Sequence, residues 1–366
     1  MHQHGGTMHQ HGGDMHQHGG LWLDNDEILD FSININLAGI SERVREAASL
    51  GVLYSDRYPD TECKKLREEI AKWENVPMQN IICGNGAADL IFSVVMAQKP
   101  KKALLITPTF YEYEKALRAM DCEITYFSCE EENDFMISDS YISHLTRECD
   151  IAFLCNPNNP TGTLSNQIFM DRVMKRCQEQ KIVLVVDECF MDFVNGIDQV
   201  FMKKYLLEYQ NLFILKAFTK QFAMPGLRLG YGLCSNQELL QKMAVVSQAW
   251  SVSTPAQMAG IAALNDTTYL ECSLNETEEQ KTFLLSELQK IGFKIYGYSA
   301  NFIFFKADSI CEKLDLAEFC IAKKIRIRDC SNFNGLKKGF YRIAVKRQEE
   351  NEKLVSVLQE AVKWQK

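Results

Sequence analysis

Thr219-Lys220-Gln221-Phe222-Ala223-Met224-Pro225-Gly226-Leu227-Arg228-Leu229-Gly230-Tyr231 is the stretch on which both fold and chemistry turn. It follows an apolar, strand-like run, Asn211-Leu212-Phe213-Ile214-Leu215, and sets a lysine and an arginine on either side of a Pro-Gly turn. A lysine amine can form an imine with an aldehyde, and a guanidinium can neutralise a phosphate. Alone, the pair reads equally well as two solvated charges. Four other segments supply what one pair cannot.

Upstream, short apolar runs alternate with helical periodicity. Residues 103–107, 151–155, 182–186 and 212–215 read as strands, and 111–120 and 167–181 as helices. The run Ile182-Val183-Leu184-Val185-Val186 is nearly all β-branched, as a strand covered on both faces requires. Strands alternating with helices predict a mostly parallel sheet with right-handed crossovers. In such sheets ligands sit beyond the carboxyl ends of the strands.

Each of the four segments falls at such an end. Gly84-Asn85-Gly86-Ala87-Ala88 precedes an apolar helical run, where small residues let backbone N–H groups approach a phosphate. In Thr107-Pro108-Thr109-Phe110-Tyr111 an aromatic could cover a planar ring, or simply fill the core. Asn156-Pro157-Asn158-Asn159-Pro160-Thr161-Gly162 is a stiffened loop that can aim an asparagine amide into the crevice. Asp187 ends the most apolar strand, where a carboxylate is costly unless paired.

This ordered set resembles the fold-type I pyridoxal-phosphate (PLP) enzymes, the aspartate-aminotransferase-like superfamily, over nearly all the chain beyond residue 20. The resemblance implies an α/β fold: a large domain with a mostly parallel sheet flanked by helices, plus a small α+β C-terminal domain. It implies PLP as cofactor and Lys220 as the Schiff-base lysine. Asp187 would meet the pyridine nitrogen, Asn159 the phenolic oxygen, and Phe110 the ring face. Arg228, Thr219 and the backbone at Gly86, Ala87 and Ala88 would hold the phosphate. Tyr58, in Arg57-Tyr58-Pro59-Asp60, looks like a tyrosine that reaches the neighbouring subunit's cofactor, which implies a homodimer with shared sites. Two departures stand out. Phe190 occupies the place of a tyrosine common in relatives, and Ala217 that of a serine or threonine.

The substrate side is read from cations. Lys324-Ile325-Arg326-Ile327-Arg328 alternates strictly, so one strand would place all three cations on one face. Arg342, in Tyr341-Arg342-Ile343-Ala344, is a second candidate; arginine suits carboxylate or phosphate. The resemblance narrows here to histidinol-phosphate aminotransferase and threonine-phosphate decarboxylase. It implies that Arg328 faces a substrate phosphate and Arg342 a carboxylate, with Asn34 also at the substrate. Four features favour the decarboxylase: His18-Gly19-Gly20 ahead of Asp30-Phe31-Ser32-Ile33-Asn34-Ile35-Asn36, Phe190, Trp250-Ser251-Val252-Ser253, and Arg328-Asp329-Cys330-Ser331-Asn332-Phe333. The expected activity is decarboxylation of L-threonine O-3-phosphate. The alternatives are a histidinol-phosphate aminotransferase and a PLP-fold binding protein without turnover.

Domain limits follow from texture. Residues 1–20 form an extension with three Met-His-Gln-His-Gly-Gly copies, expected to be disordered, and 21–50 an arm joining the small domain. Residues 51–265 form the large PLP-binding domain and 266–366 the small one. Of the seven histidines only His144 lies outside the extension, so a histidine base is not expected. No metal site is expected in the body. A net charge of −8 argues against nucleic acid or a membrane surface as partner. The 13 cysteines lack any Cys-x-x-Cys pair, which fits reduced thiols and a cytoplasmic setting.

Overall fold

The unbroken aliphatic runs end up where burial on both faces demands them. A computed structural model describes residues 28–194, 196, 199–307 and 314–364. Its first eight strands are β1 (Leu29–Asp30), β2 (Ile81–Gly84), β3 (Lys102–Thr107), β4 (Glu123–Ser128), β5 (Ile151–Cys155), β6 (Val183–Asp187), β7 (Leu212–Ala217) and β8 (Gly230–Leu233). Seven of these form one sheet in the order β2-β8-β7-β6-β5-β3-β4. Pairing is parallel from β7 through β6, β5 and β3 to β4, while β8 runs against both β7 and β2. The two-residue alternation sorts the side chains cleanly. Leu184, Val186, Leu212 and Ile214 join one core with Leu66, Ile70 and Met170. Val185, Phe213 and Leu215 join the other with Leu90, Val94 and Tyr113. Each such side chain contributes about 1.5–3 kcal/mol by leaving water.

Five further strands follow: β9 (Lys294–Gly297), β10 (Phe302–Lys306), β11 (Ile325–Arg326), β12 (Arg328–Asp329) and β13 (Phe340–Ala344). Four make an antiparallel sheet in the order β12-β13-β10-β9. The helices Thr267–Ile291 and Gln348–Lys363 supply Leu284, Leu288, Leu354 and Leu358 to a core with Phe31, Ile303, Phe305 and Ile343. The first helix stops where Gly292 takes φ 94°, a conformation favourable to glycine. β1 pairs in parallel with β11 and so ties the N-terminal arm to this region.

One expectation fails. Residues 325–328 are not a single strand: Ile325–Arg326 bonds to β1, whereas Arg328–Asp329 joins β13. The chain changes sheets at Ile327, so side-chain alternation does not carry across the break. Lys324 turns with φ 62°, Arg326 pairs with Asp30 at 3.3 Å, and Arg328 alone is left facing Arg342 across the ladder. The histidine-glycine extension lies outside the described residues, as do positions 21–27 of the arm. The twelve described cysteines are unbridged. His144 packs on Phe127 and contacts the Ser140 carbonyl, away from the residues discussed next.

Candidate active site

The five motif segments converge because they share one edge of the sheet. Gly84–Gly86 follows β2, Phe110 follows β3, the Asn156–Gly162 loop follows β5, Asp187 ends β6, and Lys220 lies in a single helical turn, Phe218–Gln221, after β7.

The helix Ala87–Gln98 begins at Gly86, with φ 82° and no side-chain cap. Its first N–H groups are therefore unclaimed by a side chain, and they carry the positive end of the helix dipole. Arg228 lies against them: a Cβ at Gly86 would come within 2.8 Å of its Nη2. A Cβ at Gly230 would come within 2.6 Å of the Ala87 nitrogen, so β8 approaches this cradle only because that residue is glycine. Uncapped N–H groups beside a guanidinium suit a phosphate. Thr219 is half-buried in the turn that carries Lys220.

Asp187 is 6% exposed. Its Oδ2 accepts from the Tyr113 hydroxyl at 2.5 Å and its Oδ1 from the Cys189 N–H at 2.9 Å. Phe110 is half-buried and meets Tyr113 edge-on. Lys220 has its amine 5.4 Å from the Phe190 ring centre. Burial, then the charge of Arg342, brings that amine down to about 8. The neutral amine, which is the nucleophile, is thus accessible near physiological pH.

The loop after β5 is locked by its own polar groups. Asn158 donates to the Pro108 carbonyl at 2.9 Å and to Thr161 at 2.8 Å, and accepts from Thr109. This leaves Asn159 pointing at Arg342, whose Nη1 donates to its Oδ1. Arg342 also donates to the Ser32 carbonyl at 2.9 Å. With its amide turned to satisfy both groups, Asn34 accepts from Arg342 Nη1 and Nε at 3.2 and 3.1 Å.

Arg328 stands directly opposite Arg342 on the ladder. It donates to the Asp329 carbonyl and to Asn332 Oδ1, both at 2.7 Å, and lies over the Phe333 ring. Burial lowers both guanidinium groups from their usual range, Arg342 to about 10. The arrangement meets the requirements of PLP: a half-buried amine, a phosphate cradle, a buried carboxylate and an aromatic cover.

The profile of Aminotransferase class I and II matches residues 26–358. The chain belongs to that family. It is 32% identical over 339 residues to the threonine-phosphate decarboxylase of Salmonella typhimurium, covering 92% of each chain. It is 28% identical over 344 residues to the histidinol-phosphate aminotransferase of Methanosphaera stadtmanae, covering 92% of this chain and 91% of the other. The crystal structure of the histidinol-phosphate aminotransferase from Clostridium acetobutylicum superposes with a TM-score of 0.85 at 31% identity, covering 92% of this chain and 99% of that one. As a class I and II aminotransferase-family protein of fold type I, the enzyme takes pyridoxal 5′-phosphate as its cofactor.

Of the residues singled out in the sequence, Gly86, Ala87, Ala88, Phe110, Asn159, Asp187, Thr219, Lys220 and Arg228 lie along one sheet edge. Asn34, Arg328 and Arg342 meet them from the second sheet and the arm. Tyr58 is 80% exposed and stacks on Trp250 at 4.4 Å rather than joining this group within one chain. Sequence reasoning missed Tyr113, the Ser32 carbonyl and Asn332. Tyr113 had one available signal: it follows Phe110 by three residues, one helical turn.

Proposed function

We propose that this enzyme decarboxylates L-threonine O-3-phosphate to (R)-1-amino-2-propanol O-2-phosphate, a precursor of the cobalamin nucleotide loop. The Arg328–Arg342 pair carries the reading. Directly opposed residues on an antiparallel ladder have Cβ atoms ~5 Å apart, and like charges there repel. Among the described residues both guanidinium groups hydrogen-bond only to neutral oxygens and neither forms an ion pair, although the charges of Asp329 and Asp30 offset part of the repulsion at Arg328 and Arg342 respectively. A ligand with two anionic groups close together relieves both. Threonine phosphate carries its carboxylate and its phosphate on adjacent carbons; histidinol phosphate has no carboxylate.

Bound PLP supplies an electron sink conjugated to the substrate Cα. The bond it would weaken is whichever bond to Cα the pocket aligns with that sink. Arg342, held by Asn159, Ser32 and Asn34, would orient the carboxylate, and Arg328 would bind the phosphate. Lys220 is assigned as the residue that binds the cofactor covalently and returns a proton to Cα once CO2 has left. Asp187 would hold the ring nitrogen, Asn159 the phenolic oxygen and Phe110 the ring face. Gly86, Ala87, Ala88, Thr219 and Arg228 receive the cofactor phosphate. Tyr58 serves the partner's site in a homodimer, residues 51–265 form the cofactor domain, and the enzyme works in the cytoplasm. No helix among the described residues is long and apolar enough to cross a membrane.

Purified holoenzyme should release CO2 from threonine phosphate without consuming a keto acid. Stoichiometric dependence on 2-oxoglutarate would overturn the proposal in favour of transamination.

A further inference from the structure

Tyr113 touches two groups of the candidate site, Asp187 and Phe110, and is itself fully buried. Its hydroxyl donates to Asp187 Oδ2 at 2.5 Å. Its ring stacks on Phe153 at 4.9 Å and 19°, and meets Phe110 edge-on at 5.6 Å and 84°. Phe153 lies on β5 and Asp187 on the adjacent β6, so one tyrosine bridges two strands and the helix Tyr111–Arg118.

The carboxyl torsion of an aspartate is broad and roughly two-fold. Asp187 would keep that freedom if only one oxygen were held. Here the Cys189 N–H fixes Oδ1 and the phenol fixes Oδ2. An ionised carboxylate can accept about four hydrogen bonds, so capacity remains for a cofactor nitrogen. Burial, then the charge of Asp187, pushes the Tyr113 phenol far above its usual value, so it stays a donor at every working pH.

We propose that Tyr113 is a positioning residue that orients Asp187 toward the ring nitrogen of the cofactor. The inference rests on the assignment of Asp187 as the nitrogen's partner. Without the phenol the carboxylate turns more freely, and a ring nitrogen less squarely met by it is less pyridinium-like.

The test uses holoenzyme loaded with PLP labelled with 15N at the ring. In Tyr113→Phe, which keeps the ring contacts, the 15N signal should move toward the neutral-pyridine position. The kcat should fall by about 10- to 100-fold while KM stays within about three-fold, because the loss acts on the reacting state. Site-specific 3,5-difluorotyrosine at position 113, a stronger donor, should move the signal the opposite way. This second variant decides the matter if Tyr113→Phe does not fold. Wild-type 15N signals in the variants that fold would overturn the inference. Asp187→Asn separates the two layers. An unchanged signal there would sink the assignment of Asp187 itself. A changed signal there, with no response at position 113, would sink only the role of Tyr113.

Discussion

Replacing Arg328 with glutamine should weaken threonine phosphate by about 30- to 1,000-fold and leave phosphate-free L-threonine within about three-fold. The size follows from how the guanidinium is held. Asp329 and Asn332 take one hydrogen bond each from its two terminal nitrogens, and Phe333 lies beneath it, so it is fixed before any ligand arrives. Hydrogen bonds to a charged partner contribute about 1.5–3 kcal/mol each, and a guanidinium can give a phosphate two. Two losses are offset in part. Glutamine restores one neutral bond of about 1 kcal/mol, and Arg342 is freed of a like charge across the ladder. The net loss is about 2–4 kcal/mol, and each 1.4 kcal/mol is tenfold in affinity.

Spectroscopic titration of the holoenzyme with both amino acids, at fixed ionic strength, reads the two constants. Only their ratio matters, since a general disturbance of the pocket weakens both. Equal weakening of the two ligands, or weakening of neither, would refute the assignment of Arg328 to the phosphate.

With the Lys220 amine at about 8, its neutral form dominates above that pH, so capture of PLP by cofactor-free enzyme should quicken up to about pH 8 and then level off; a rate still climbing toward pH 10 contradicts this. Borohydride reduction of the holoenzyme should label the peptide containing Lys220 and leave Lys220→Ala unlabelled. Glu74→Ala should cost about 3–5 kcal/mol in urea unfolding, because it leaves buried Lys216 and its neighbour Lys203 without their shared carboxylate; a cost below about 1 kcal/mol would show that the cluster is not coupled. Mixing inactive Lys220→Ala with inactive Tyr58→Phe should restore activity, since half of each mixed dimer regains a complete site; no recovery would argue against shared sites.

Local pattern made the large sheet legible. β5, β6 and β7 each begin with an apolar run of at least four residues, and Asn159, Asp187 and Lys220 lie at or just beyond the strand ends. The break inside 325–328 was not legible, because alternation of Lys324, Arg326 and Arg328 is the same whether or not the chain changes sheets. Contacts between distant positions were equally silent. Arg342 meets Asn159 across 183 residues and Ser32 across 310, and no periodicity links such positions. Tyr113 reads locally as one more apolar residue of an amphipathic helix; only the fold brings its hydroxyl to Asp187.

Two lysines near the end of β7 show how compensation separates structure from chemistry. Lys216 and Lys220 are four residues apart. Burial alone would lower both amines. Around Lys216 the carboxylates of Asp192, Glu74 and Glu188 outweigh burial and push the amine up. Glu74 stays ionised in return: burial raises it, but Lys216 and Lys203 bring it down to about 2. Burial carries Glu188 up to about 7, where it accepts from the Met202 N–H. That cluster satisfies its own charges. Around Lys220 the larger influences after burial include the cation Arg342, and the amine goes down. Arg342 itself faces Arg328, not a carboxylate. A buried group whose charge is answered within the fold needs nothing further. On the proposed assignment, the groups left unanswered are the ones that would meet the cofactor and an anionic substrate.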